Sequence, residues 1–137
     1  GRDRFAPAAA HLSRGAPLPD LGPPVTDLVQ LAWPGARLEA GSLVGEVIHV
    51  DRFGILVTSV RAEEVEALGP PDAVTVAVAG RMIRGVSRSY ADRPVGEPGA
   101  IVGSSQRLEI FVREANARTA LGVERGAPVR LWKGTPL

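Results

Sequence analysis

The chain has no cysteine, one methionine, two tryptophans, one tyrosine and three phenylalanines. Without cysteine there can be no disulfide and no thiolate metal site. The two histidines, His11 and His49, are isolated and have no metal-ligand spacing, so no metal site is expected. Charge of either sign is not in excess: sixteen Lys and Arg face fifteen Asp and Glu, for a net charge of +1. That balance supplies no long-range field for nucleic acid or an anionic membrane, and 4% aromatic residues leave little to stack on single-stranded bases. No apolar run approaches the ~20 residues needed to span a bilayer, and no apolar stretch of signal-peptide type precedes His11. The expectation is a soluble, cytoplasmic protein with no cofactor, no nucleic-acid partner and no membrane partner.

What is present is enough for a core. The 137 residues are 45% hydrophobic and 23% charged, and a domain of this size buries roughly two-thirds of the surface its unfolded chain exposes. Residues 1–36 carry Pro7, Pro17, Pro19, Pro23, Pro24 and Pro34, so regular structure there should be short. Phe5 to Leu12 predicts a small helix, because Pro7 is tolerated in a first turn and three alanines follow it, with Gly15 as its end. Val25 to Trp33 is apolar enough to dock on something but too short to be a domain.

From about residue 40 the pattern changes to short Val- and Ile-rich runs bounded by glycine, which is strand chemistry. Val44 to Val50 and Ile55 to Val60 predict a hairpin turned by Asp51-Arg52-Phe53-Gly54. Arg61 to Leu68 predicts a helix halted by Gly69-Pro70-Pro71. Further strands are expected at Ala73 to Ala79, Met82 to Val86, Ile101 to Val102, Arg107 to Arg113 and Val129 to Trp132, with a helical turn at Ala115 to Leu121 ending on Gly122. Strands recurring every ~8–12 residues predict a mainly β fold: a small Greek-key-like β-barrel with one or two short helices, preceded by a Pro-rich, partly helical tail. The corresponding division is a tail or linker, 1–36, and a barrel, 37–137.

The polar clusters at strand ends are Asp51 with Phe53-Gly54, Ser89-Tyr90-Ala91-Asp92, Gly103-Ser104-Ser105 and Asn116. Strand ends are where a scaffold holds side chains within reach of solvent. Each cluster also has a purely structural reading. Asp51 serves equally as a turn former, Gly103-Ser104-Ser105 as a turn, Asn116 as a helix cap and Tyr90 as half-buried packing. Gly103-Ser104-Ser105 lacks the lysine and the helix of a phosphate loop. No serine has a base nearby in sequence, and no catalytic residue is assigned.

The ordered set of motifs goes further. Gly45-Glu46-Val47-Ile48-His49-Val50-Asp51-Arg52-Phe53-Gly54 with Leu56-Val57-Thr58 resembles the opening of the carboxy-terminal domain of the S-adenosylmethionine hydrolases and adenosyl-halide synthases. Tyr90-Ala91-Asp92 with Gly96-Glu97, Val102-Gly103-Ser104-Ser105, Leu108-Glu109-Ile110 and Asn116-Ala117 follow in the family's order. Upstream, Gly1-Arg2-Asp3 with Phe5-Ala6-Pro7-Ala8-Ala9-Ala10-His11-Leu12 resembles the close of the family's amino-terminal α/β domain, so 1–36 would be the end of that domain and a linker.

The resemblance implies the carboxy-terminal part of an enzyme converting S-adenosylmethionine and water to adenosine and L-methionine, working as a homotrimer in which one subunit's barrel completes a neighbour's pocket. Asp51, Ser104 and Ser105 would hold the amino-acid end of the substrate. Phe53 and Tyr90 would pack around adenine, and Asn116 and Ala117 would contact its edge, largely through backbone groups. The family's catalytic Asp/Arg/His set would lie before residue 1, so this polypeptide alone should not catalyse. Three positions depart from the family's usual pattern: Ile55 where asparagine is usual, Thr58-Ser59 for Thr-Asn, and Gln106 for the glycine after the serine pair. They raise the alternative of a non-catalytic or degenerate adenosine-binding or assembly module.

Overall fold

The computed structural model describes residues 1–134. By internal contacts the chain forms two units, Gly1–Ala32 and the residues from Trp33 onward.

In the first unit, helix α1 spans Phe5–Ser13 with Pro7 in its first turn, where the missing N–H has no intrahelical partner to lose. A short 3-10 turn follows at Leu18–Leu21. Residues 22–36 have no regular structure, and the apolar side chains expected to dock there, Val25, Leu28, Val29, Leu31 and Trp33, are exposed.

The second unit is a nearly closed β-barrel. Its strands are β1 (Arg37–Glu39), β2 (Ser42–Val50), β3 (Leu56–Arg61), β4 (Val74–Val78), β5 (Arg81–Arg84), β6 (Pro98–Val102), β7 (Arg107–Val112) and β8 (Pro128–Lys133), with helices α2 (Ala62–Leu68) and α3 (Ala117–Leu121). All strand pairs are antiparallel in the order β5-β4-β8-β2-β3-β7-β6, with β1 on β2. The last strand lies between β2 and β4, which is what joins the two halves of the sheet. Strand β2 serves both halves: Leu43 to Glu46 pair with β8, and Val47 to Val50 pair with β3 across a register shift that bends the strand. At the ends of the sheet, Ser87 bridges Ile101 and donates its N–H to the Ala100 carbonyl at 2.7 Å, so the segment after β5 meets β6.

The expected β-barrel with short helices is therefore borne out, and its interior follows the alternation in the strands. Val74, Val76 and Val78 of β4, Leu108 and Ile110 of β7, and Val129 and Leu131 of β8 point inward with Val47, Leu56 and Val60. Fully burying each such side chain contributes about 1.5–3 kcal/mol. Thr58 and Ser59 are also buried, at a second register shift in β3. The Thr58 hydroxyl donates to the Leu108 carbonyl at 2.8 Å, and Ser59 Oγ accepts from the Glu46 N–H at 3.0 Å. This pair thus supports the barrel.

Several boundaries differ from the sequence expectation. Ala79 leaves β4 for a two-residue turn, Val86 leaves β5 to donate to the Pro71 carbonyl, and Arg113 leaves β7 to donate to the Glu97 carbonyl. Strand β6 starts earlier, at Pro98, because an edge strand tolerates proline at its first residue. The three-residue β1 was not anticipated at all.

Candidate functional site

The loop after β2 is built by Asp51. Its Oδ1 accepts the N–H groups of Phe53 at 2.8 Å and Ile55 at 2.9 Å, and its backbone exchanges further bonds with Gly54 and Ile55. The turn-forming reading of Asp51 is thus realised, and it holds Phe53 outward, 61% exposed, with the Arg52 guanidinium 4.7 Å from its ring centroid. Gly54 has φ +84 and packs against Asn116 so closely that a Cβ there would overlap the Asn116 amide. Its carbonyl accepts the Arg118 N–H at 3.0 Å. Asn116 caps α3, its Oδ1 accepting from the Thr119 N–H at 3.0 Å, and Gly122 in the left-handed region ends the helix. Loop and helix start are therefore held as one unit.

Tyr90 comes from the other side. Asp92 accepts the N–H groups of Arg88 and Ser89 and the Ser89 hydroxyl, and Ser89 Oγ accepts the Ala91 N–H. Those bonds hold the Asp92 carboxyl below the usual carboxylate range, the Ser89 N–H first and the Arg88 N–H next. The Tyr-Ala-Asp motif is thereby a self-closing turn that presents Tyr90. Arg113 tethers it to the barrel by donating to the carbonyls of Arg93 at 2.8 Å and Ala91 at 3.3 Å. The Tyr90 ring, 43% exposed, meets Phe111 edge to face at 4.8 Å and 82°.

Phe53, Ile55, Tyr90, Phe111 and Asn116 line a surface cavity of about 450 Å³ whose rim continues along Val112 to Ala115. At its edge lies Glu109, next but one to Phe111 on β7. Glu109 Oε2 accepts the Tyr90 hydroxyl at 3.3 Å. Burial, above all, raises the Glu109 carboxyl above its ordinary range; the Asp51 charge adds to this, while the Tyr90 and Ser105 hydroxyls act against it. Burial likewise raises the Tyr90 phenol, with the charges of Glu109 and Asp51 contributing.

The structure thus brings together Phe53, Tyr90 and Asn116 on the cavity and Asp51 and Ser105 around Glu109. Ser104 lies in the exposed 103–106 turn, and the Ala117 side chain is buried in the core, 1% exposed. Gln106 adopts φ +57, the left-handed conformation in which glycine is at ease. Sequence reading assigned no role to Glu109, Phe111 or Arg113. The available signal was the alternation of β7, which places Glu109 on the face opposite Leu108 and Ile110. Two other cavities of similar size, beside Arg61 to Glu66 and beside Pro70 to Asp72, carry no aromatic residue. No group of three or more potential metal ligands occurs among the described residues, and no helix there is long and apolar enough to cross a membrane.

Chemically, the cavity offers aromatic and aliphatic walls to a flat ring and carboxylates to a cationic group beside it. Fold and site together define a small β-barrel domain with an aromatic-lined surface cavity. Residues 45–130 match the family model described as the SAM hydroxide adenosyltransferase C-terminal domain, and the chain belongs to that family. It is similar to the (R)-S-adenosyl-L-methionine hydrolase of Thermus thermophilus, 44% identical over 96% of this chain and 48% of that protein. The protein of the same name from Salinispora tropica is 35% identical over 98% of this chain and 50% of its own length. The chain thus spans about half the length of the curated relatives it matches.

Two crystal structures show the same fold. A conserved hypothetical protein from Thermus thermophilus is 41% identical with a TM-score of 0.67, covering 96% of this chain and 52% of that one. An uncharacterized conserved protein from Thermotoga maritima is 29% identical with a TM-score of 0.69, covering 96% and 51%.

Proposed function

We propose that this chain is the substrate-binding part of an S-adenosylmethionine hydrolase. In the reaction, a water-derived hydroxide forms a C–O bond at the ribose 5′-carbon as the C–S bond breaks. The bonding pair stays on sulfur, L-methionine leaves as a neutral thioether, adenosine remains, and one proton is released. A site shielded from bulk water suits this step, because a poorly hydrated nucleophile and a cationic leaving centre respond strongly to fixed dipoles.

The observation that carries the reading is the aromatic cavity of Phe53, Tyr90 and Phe111 adjoining the Asp51–Glu109 edge, inside the stretch that matches the family. Phe53 and Tyr90 pack on the adenine, Asn116 and the Ala117 backbone meet its edge, and Asp51, Ser104 and Ser105 hold the methionine end. All are binding roles. The catalytic groups belong to an amino-terminal domain of the full-length protein, whose close is the 1–36 segment, and the chain alone does not hydrolyse the substrate. The full-length protein is a cytoplasmic homotrimer that needs no cofactor, each barrel completing a neighbour's pocket. That assembly is what the resemblance to the family implies.

The test is incubation of the full-length protein with S-adenosylmethionine and chromatographic analysis of products. Stoichiometric adenosine and methionine are expected, with a loss of catalytic efficiency of about 5- to 150-fold in Phe53→Ala, as removal of one stacking ring costs about 1–3 kcal/mol. Failure to form adenosine would overturn the hydrolase reading.

A further inference from the structure

Glu109 stands out among the side chains to which the proposed binding roles assign nothing. It is a half-buried carboxylate on a strand whose flanking residues, Leu108 and Ile110, are core. A glycine makes room for it: Gly103 lies so close that a Cβ there would overlap the Glu109 carboxylate. Asp51 is near enough for its charge to act on Glu109, and the Tyr90 hydroxyl bonds it directly.

Neither carboxylate is answered by a cation. Among the described residues the ion pairs are made by Asp3, Glu39, Glu63, Glu114 and Glu124, and neither Asp51 nor Glu109 has a basic partner within 4.0 Å. Two like charges at the edge of an apolar cavity repel each other and lose hydration, a cost that an arriving cation reverses.

We propose that Glu109 is a specificity-determining residue, which makes the pocket prefer a nucleoside bearing a sulfonium cation over the uncharged thioether that lacks the methyl group on sulfur, while Asp51 answers the ammonium that both ligands carry. The inference rests on the hydrolase reading and deepens it. The two ligands share adenine, ribose and the amino-acid end and differ by one methyl group and the charge on sulfur, and the salt dependence of their affinity ratio separates the charge from the methyl contact. A preference of this kind holds the charged substrate and releases products in which that charge is gone.

The experiment is rapid-mixing measurement of binding to the full-length protein, read before turnover, with S-adenosylmethionine and with its demethylated thioether, S-adenosylhomocysteine. In the wild type the sulfonium should bind more tightly, and the affinity ratio should fall as salt is raised, because the attraction is partly screened. Glu109→Gln should lower the ratio about tenfold, the scale expected for one charge acting across several ångströms at a protein surface. Glu109→Asp should restore part of it. Tyr90→Phe, which removes the hydroxyl but keeps the carboxylate, should weaken both ligands alike and leave the ratio in place.

Equal weakening of both ligands by Glu109→Gln would mean that Glu109 merely positions Tyr90, and would overturn the inference. So would equal affinity of the wild type for the two ligands in a protein that still forms adenosine, with the hydrolase reading intact. If Glu109→Gln does not fold, the wild-type salt dependence decides, and a salt-independent ratio sinks the inference. Binding of neither ligand by the wild type overturns both readings together.

Discussion

The Tyr90 hydroxyl donates a 3.3 Å hydrogen bond to Glu109 Oε2 while its ring stands edge-on against Phe111, two residues further along the same strand. One side chain thereby links the charged edge of the cavity to its apolar wall. Neither contact is local in sequence, since Tyr90 and Glu109 are nineteen positions apart.

The two functions of Tyr90 are separable. Tyr90→Phe keeps the ring on Phe111 and should weaken adenosine binding by the full-length protein only about three- to tenfold, the scale of one hydrogen bond. Tyr90→Ala also removes the wall and should weaken it at least a further tenfold. Calorimetric Kd values for adenosine check this order, and equal effects of the two substitutions would refute a role for the ring.

Ile55 presents an aliphatic side chain to the cavity at the position where the family resemblance implies asparagine. Ile55→Asn should tighten adenosine binding by about three- to tenfold, the net value of one added hydrogen bond of about 0.5–1.5 kcal/mol. Unchanged affinity in a folded variant would show that the base edge is already satisfied elsewhere.

Stability should depend on pH through two carboxyl groups shifted in opposite directions. Burial raises Glu109 above its unfolded value, so the folded chain binds the extra proton; this contribution is complete below the unfolded pKa and is lost as pH rises through the folded one. Asp92 is held below its unfolded value by the Ser89 and Arg88 N–H groups, so its contribution is present above the unfolded pKa and is lost as pH falls through the folded one. Thermal melts across pH should show Glu109→Gln gaining on the wild type as pH rises from the carboxylate range to neutrality. Asp92→Asn should fall behind only across the acid range, as pH rises from the folded to the unfolded aspartate pKa, and keep a constant deficit from there to neutrality. A pH-independent difference for Glu109→Gln would show that burying this carboxylate is not costly.

The β4–β5 hairpin turns on Ala79 and Gly80 with φ of +46° and +72°, between the paired Val78 and Arg81. An alanine held there is strained by about 1–2 kcal/mol, whereas asparagine tolerates the left-handed region and Asn-Gly is the preferred pair for such a turn. Ala79→Asn should raise unfolding free energy by about 0.5–1 kcal/mol with no change in urea m-value. A lower transition midpoint would contradict that turn geometry.

Local chemistry made much of this legible before any coordinates. The Asp51-to-Gly54 loop, the stop at Gly69-Pro70-Pro71 and the Asn116-to-Gly122 helix depend on neighbours a few residues away, and the structure carries all three. Strand β1 was not legible, because a three-residue strand has too few positions for alternation to appear and exists by pairing with β2. The limits of β4, β5 and β7 shifted where residues near the strand ends found partners outside the strand.

Sequence alone determined most of the strand pattern and the barrel class, because both are written in periodicity and in turn residues, and the family came from the resemblance of its ordered motifs. Only the tertiary structure decided that Tyr90, which lines the cavity, and Asp51 and Ser105 all act on Glu109, and that Ala117 belongs to the core. That juxtaposition depends on which strands lie side by side, and strand neighbours are set by packing between distant segments.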